Sequence, residues 1–254
     1  MATYKRRGNK PVGKQEREQQ EQKESTTAEV FSTLDESASK TEEWVARNQK
    51  YIIGFIAVIA VGVLGYLGYN EFIVKPKEVE ASNELYFAQQ YFEKALNTAD
   101  SDSLYNLALT GAEGKYGLLD IIDIYGGTDA ANLAHYSAGM AYLNTGKYDK
   151  AIEHLQEFSS DDAMLGPIAK GGIGDAFNQL NQPEEALSYY EQAFKRGTND
   201  FVIPRYLMKA ALTAMSLSDY KKAHTYFTRI KEEFPSSPQA NGIDTYIGKV
   251  ENMK

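Results

Sequence analysis

The sequence predicts an all-α protein in three parts: a disordered N-terminal tail, one transmembrane helix and an α-solenoid of paired helices. Three observations carry this reading. An uncharged, largely apolar run extends from Tyr51 to Asn70, closed by Lys50 on one side and Glu71 on the other. The stretch before it is nearly free of large apolar side chains at its start. The stretch after it is rich in Ala, Leu and Tyr and repeats itself with a period of about 35 residues.

Residues 1–40 are expected to be a disordered cytoplasmic tail. From Lys5-Arg6-Arg7 through the Gln/Glu-rich stretch to Ser25-Thr26-Thr27, burial cannot offset the entropy of ordering. The first fifty residues hold ten Lys/Arg and nine Asp/Glu, a net of +1; the remaining 204 hold seventeen and twenty-six, a net of −9. The basic run KRRGNKPVGK has a composition that suits acidic lipid or nucleic acid. We read it as a topology signal that keeps this end in the cytoplasm.

Residues 41–75 are the juxtamembrane segment and the single transmembrane helix, with the span at 51–70. Twenty residues rising about 1.5 Å each cover about 30 Å, the thickness of a bilayer's hydrocarbon core. A cleaved signal peptide has a shorter apolar core at the very N-terminus, and Gly68-Tyr69-Asn70-Glu71-Phe72 is a poor cleavage site. A lipoprotein is excluded, since there is no cysteine to acylate. Lys40, Arg47 and Lys50 precede the span and Lys75 and Lys77 follow it, a slight bias toward an internal N-terminus. On a helix Gly54, Ala57, Val61, Gly65 and Gly68 share one narrow face, broadly opposite Ile52, Ile56, Ile59, Val63 and Tyr66. Small residues admit a partner helix, so this face is the candidate contact within the membrane; no strict GxxxG signals a self-dimer.

Residues 76–254 form the repeat domain. Leu85–Leu96 and Lys115–Gly127 are amphipathic helices expected to make degenerate leading repeats. Three segments then align: NLAHYSAGMAYLNTGKYDKAIEHLQEF, PIAKGGIGDAFNQLNQPEEALSYYEQAF and PRYLMKAALTAMSLSDYKKAHTYFTRI. They define repeats at 132–166, 167–203 and 204–236, with a C-terminal capping helix at 237–251. Gly139, Gly174 and Ala211 occupy one position, where two helices of a hairpin touch. Tyr142, Phe177 and Ala214 follow, and Ala151, Ala186 and Ala223 mark the second helix's close contact. Turns fall at Asn144–Gly146, Asn181–Pro183 and Ser216–Ser218, and Pro235 ends the last hairpin. These residues resemble the tetratricopeptide repeat, a helix–turn–helix unit that stacks into a right-handed solenoid. The spacings of 35 and 37 and the absence of the usual first-helix Trp depart from that pattern.

The resemblance implies a concave binding groove lined by first-helix positions 2, 5, 9 and 12. With Asn132, Pro167 and Pro204 as position 1, these are Leu133, Tyr136, Met140 and Leu143; Ile168, Gly171, Asp175 and Asn178; and Arg205, Met208, Leu212 and Met215. Three methionines and a tyrosine make a deformable apolar surface suited to extended or helical segments. The alternative is that the C-terminal helix covers some of these positions. A charged clamp is not evident, with only Arg205 and Lys209 as candidates.

Nothing points to an enzyme or a cofactor. His135, His154 and His224 fall at different repeat positions, expected on different faces. GPIAKGGIGDAF lacks the preceding strand and the Lys-Ser/Thr of a phosphate loop. Asp161-Asp162 and Asp100-Ser101-Asp102 read as loop or capping carboxylates. No metal, nucleic-acid or small-molecule site is expected.

Thr41-Glu42-Glu43-Trp44 through Asn48-Gln49-Lys50, entering a glycine-rich span ahead of ASNELYFAQQYFEKAL, resembles the YfgM family. That resemblance implies a bacterial inner-membrane protein with its N-terminus in the cytoplasm and its repeats in the periplasm. It also implies the SecYEG translocon and a membrane-anchored peptidyl-prolyl isomerase chaperone as partners. The leading functional reading is therefore a non-enzymatic scaffold of protein secretion. A cell-envelope assembly or division scaffold without translocon contact is the alternative, and a hydrolase or metal protein the remote third.

Overall fold

The computed structural model describes residues 14–98, 101–197 and 199–253. The chain divides into two compact units, Met1–Tyr69 and Asn70–Lys254. Among the described residues there is no strand, only one isolated bridge between Ala112 and Lys115.

The described residues of the first unit form a single helix, α1 (Lys14–Tyr69). Of the tail expected to be disordered, residues 1–13 lie outside the described residues, while 14–40 are helical. Lys, Gln, Glu and Arg alone fill 14–24, and all four are strong helix formers, so local propensity prevails where no apolar partner exists. Farther along is the one described helix long and apolar enough to cross a membrane. Its most apolar window has a mean hydropathy of 2.2 and is unburied. Exposed Trp44 and Tyr51 lie at one end of the run and exposed Tyr66 and Tyr69 at the other. That is the placing of aromatic belts at the two water interfaces.

In the second unit, a π-turn (Asn70–Val74) leads into α2 (Lys75–Leu96). Pro76 explains the wide turn: it lacks an N–H and its ring crowds the carbonyl four residues back, at Phe72. Helix α2 packs against α3 (Asp102–Thr110), α4 (Leu118–Ile124) and α5 (Asp129–Asn144). The Glu78 carboxylate accepts the first N–H groups of α5, from Asp129 at 2.8 Å and Ala130 at 3.0 Å. Lys77 donates to the Gly126 carbonyl at 3.1 Å, and the Tyr125 hydroxyl donates to Glu80 at 3.1 Å. Helix α2 is thus fastened to the repeats by a cap supplied in trans across 50-odd residues of chain. The second expected leading helix, 115–127, is shortened to α4. Gly111 and Gly114 turn the chain with positive φ, and Gly117, whose N–H bonds Asp120 at 2.9 Å, starts the helix.

Three hairpins follow: α5 with α6 (Tyr148–Glu157), α7 (Leu165–Gln179) with α8 (Pro183–Arg196), and α9 (Val202–Ser216) with α10 (Tyr220–Glu233). Each turn has the same geometry. Gly146, Asn181 and Ser218 take the left-handed conformation, at φ 72°, 58° and 62°. The next N–H then reaches back to the carbonyl five residues earlier: Lys147 to Tyr142, Gln182 to Phe177 and Asp219 to Ala214, each at 2.9 Å. This is the Schellman closure, and it sets the reversal of direction that each hairpin needs.

The small positions are used as the sequence suggested. A Cβ on Gly139 would come within 2.5 Å of Leu155, and one on Gly174 within 2.6 Å of the Tyr190 ring. Ala151, Ala186, Ala211 and Ala223 are fully buried. Between hairpins, Glu191 of α8 accepts from the Tyr226 hydroxyl at 2.8 Å and pairs with Lys222 of α10 at 3.2 Å. Burial alone would raise the Glu191 carboxyl, but Tyr226 and the two nearby lysines override it and hold it low.

The expected capping helix is broken into a short 3₁₀ turn (Pro238–Ala240) and α11 (Ile243–Glu251). Gly242 at φ 72° separates them, and Ile243 and Val250 are buried while Tyr246 stacks on Phe227. Helix α11 packs on α10.

The turns make a stability prediction. Ser218→Gly should stabilise the protein by about 0.5–1 kcal/mol, because glycine alone holds positive φ without a Cβ penalty; Gly146→Val should cost about 1–2 kcal/mol. Glu78→Ala should cost about 1–2 kcal/mol through the lost cap on α5. Chemical denaturation of the full chain in detergent measures all three.

Candidate functional site

The first helices α5, α7 and α9 lie side by side, and between them opens a cleft of about 500 Å³. Leu143, Asp175, Asn178, Lys209 and Leu212, five of the positions singled out in the sequence, line it together with Asn144, Tyr148, Gln179, Tyr190 and Thr213.

The other singled-out positions are placed differently. Tyr136 packs its ring on Phe158, 5.2 Å away between centroids. Leu133 and Met140 are half-buried against the core of the first repeats. Met208 and Met215 are half-buried against the last hairpins. Arg205 is exposed and lies 5.9 Å over the Tyr206 ring. Ile168 is half-buried, and Gly171 is filled from the neighbouring helix: a Cβ there would sit 1.9 Å from the Tyr206 ring. The three methionines are thus half-buried, and the cleft itself is mixed in character, with leucines beside amides and a lysine–aspartate pair.

The polar centre is tightly knit. Lys209 Nζ lies 2.5 and 2.6 Å from the two oxygens of Asp175, and the Tyr190 hydroxyl donates to the same carboxylate at 2.8 Å. The ammonium also rests over the rings of Tyr190 and Tyr206, at 5.7 and 5.8 Å. Burial, together with the Asp175 charge, pushes the Tyr190 hydroxyl far above its ordinary range. Burial likewise raises Tyr206, against the pull of Arg205. Lys209 is therefore matched by Asp175 and is poorly placed to hold an incoming carboxylate. What the cleft offers a visitor is apolar Leu143 and Leu212 and the amides of Asn144, Asn178 and Gln179. Amides both donate and accept, which suits the backbone of a peptide.

One feature escaped the sequence reading. His135 and His154 do not face apart: their Nδ1 atoms are 3.2 Å from each other across the α5–α6 hairpin. Hairpin geometry, not repeat phase, decides this, because the two residues flank the turn at matched depth. His224 pairs instead with Glu251 at 3.1 Å. Among the described residues, no three side chains converge to hold a metal ion. Asp162 caps α7, accepting the N–H groups of Met164 and Leu165 at 2.8 Å, and these bonds hold its carboxyl below the usual range. Asp100 lies outside the described residues. The glycines of GPIAKGGIGDAF are packed inside α7, with Gly172 against Leu155 and Met140, so they form no phosphate loop.

Residues 134–158 and 172–238 match two family models, each described as tetratricopeptide repeat. The chain carries tetratricopeptide repeats. The first match covers most of the α5–α6 hairpin and the second runs from α7 past Pro235. No curated protein gives a match. Repeats of this kind serve as protein-interaction surfaces, which gives the cleft its general meaning.

The candidate face within α1 is unpartnered in the described chain. A Cβ added to Gly54, Gly65 or Gly68 would meet nothing within 4 Å, and Ala57 and Val61 are exposed. The contrast with the cleft is measurable. Gly171→Ala should cost about 1–3 kcal/mol, because buried Tyr206 has no room to retreat, whereas Gly65→Ala should leave the repeat unit's unfolding midpoint unchanged.

Proposed function

We propose that this chain is a non-enzymatic, single-pass scaffold of the protein-secretion machinery in a bacterial inner membrane. Its N-terminus is cytoplasmic and its repeat domain periplasmic. The span meets translocon subunits through Gly54, Ala57, Val61, Gly65 and Gly68. The cleft between α5, α7 and α9 receives a periplasmic chaperone of the peptidyl-prolyl isomerase type or an emerging polypeptide.

The observation that carries this reading is the pairing, in one chain, of tetratricopeptide repeats bearing an open cleft with an unburied apolar helix that displays a row of small residues. In lipid, helix association depends on close packing, which such a row permits. The translocon itself is supported by the family resemblance of the span and its flanks.

The test is gentle solubilisation of native membranes, capture through a C-terminal tag and mass spectrometry of the recovered proteins. Translocon subunits and a periplasmic chaperone should be recovered near stoichiometry. Gly65→Leu with Gly68→Leu should release the translocon but keep the chaperone; Leu212→Glu should do the reverse. Leu212, which is 37% exposed, is a better groove variant than half-buried Met208. Recovery of envelope-assembly or division proteins alone would overturn the secretion reading.

A further inference from the structure

The tertiary structure of the first hairpin joins two titratable rings that nothing in the proposed function uses. His135 on α5 and His154 on α6 approach through like atoms, Nδ1 to Nδ1, at 3.2 Å, with ring centroids 5.3 Å apart. A hydrogen bond between two such atoms requires one to donate and the other to accept. With both rings neutral, or one charged, that condition is met. With both charged, both nitrogens carry protons, and two donors and two positive charges face each other.

We propose that His135 and His154 form a proton-operated latch that closes the α5–α6 hairpin near neutral pH and opens on acidification. The surroundings favour the closed, less protonated state. Burial, first, pushes both imidazoles below their ordinary value, and for His154 the neighbouring His135 pushes the same way. Glu153 and Glu157 pull the opposite way, while Lys150 opposes a proton on His154. All three lie on α6, and α5 contributes Tyr142, whose ring stacks on His154 at 5.4 Å. Lys150 and Lys147 lie 5.4 and 5.7 Å from that same Tyr142 ring. A charged His154 would thus gather with two ammonium groups around one aromatic ring.

The direction of the effect follows from linkage. Because the folded state binds these protons less readily than the unfolded state, the stability they contribute is complete above the unfolded value of about 6.5. It is lost as pH falls below that value toward the lowered folded values. Helix α5 also carries Leu143 and Asn144, one wall of the cleft. Opening the latch would loosen that wall; this last consequence rests on the cleft being the binding surface, whereas the latch itself does not.

The experiment uses the full chain in detergent, with imidazole NMR from pH 8 to 5 and thermal unfolding at pH 7.5 and 5.5, for wild type and His135→Gln. The two histidine signals should be coupled, each shifting in two steps, with the second protonation well below the ordinary value. The wild-type unfolding temperature should fall between the two pH values, and His135→Gln should remove at least half of that fall. Independent titration at the ordinary value, or an equal fall in the variant, would overturn the latch. If His135→Gln does not fold, the wild-type titration alone decides. Neither readout involves a partner, so a failure of the secretion reading leaves this result standing.

Discussion

Close approach of two antiparallel helices is the constraint on which the repeat unit depends. At Gly139 and Gly174 there is no room for a Cβ, and Ala151, Ala186, Ala211 and Ala223 are fully buried. Short interhelical distance lets each hairpin bury both of its inner faces, and the left-handed residue at each turn fixes the reversal that brings them together. Once hairpins of one shape recur, their first helices fall side by side. The cleft is a consequence of that stacking, not a separately built pocket.

The same constraint explains why the cleft is mixed in character. Gly171 lies one helix away from Tyr206, and the ring takes the space that a side chain at that position would have filled. Tyr206 and Tyr190 then flank Lys209, whose charge is answered by Asp175. The centre is locally neutral, with amides and leucines at its rim.

Periodicity made much of this legible from sequence. Helix pairs, turn residues and small contact positions recur at spacings of 35 and 37, so they reinforce one another, and Pro235 marks the end of the last hairpin. Features without a repeat were harder to read. Helix α3 and the short α4 depend on Gly111, Gly114 and Gly117 folding a loop back on itself, and a single glycine there says little about where helix begins. Gly242 broke an otherwise plausible capping helix in the same way. In the groove, phase placed Leu143, Asp175, Asn178 and Leu212 together, with Lys209 beside them as the clamp candidate, but it carried no information on side-chain size in the next helix. Hence it gave no sign that Tyr136 packs on Phe158 or that the methionines are half-buried. The His135–His154 contact was missed because repeat phase compares like helices, whereas this contact joins the two unlike helices of one hairpin.

The most direct measurement is site-specific photo-crosslinking in intact membranes. A photoreactive residue would replace Leu212 or Asn178 at the cleft and, in parallel, exposed Lys221 on α10. A discrete protein adduct from the cleft positions and none from Lys221 is the expected result. Adducts from Lys221 alone, with the cleft positions silent, would contradict the assignment of the cleft as the binding surface.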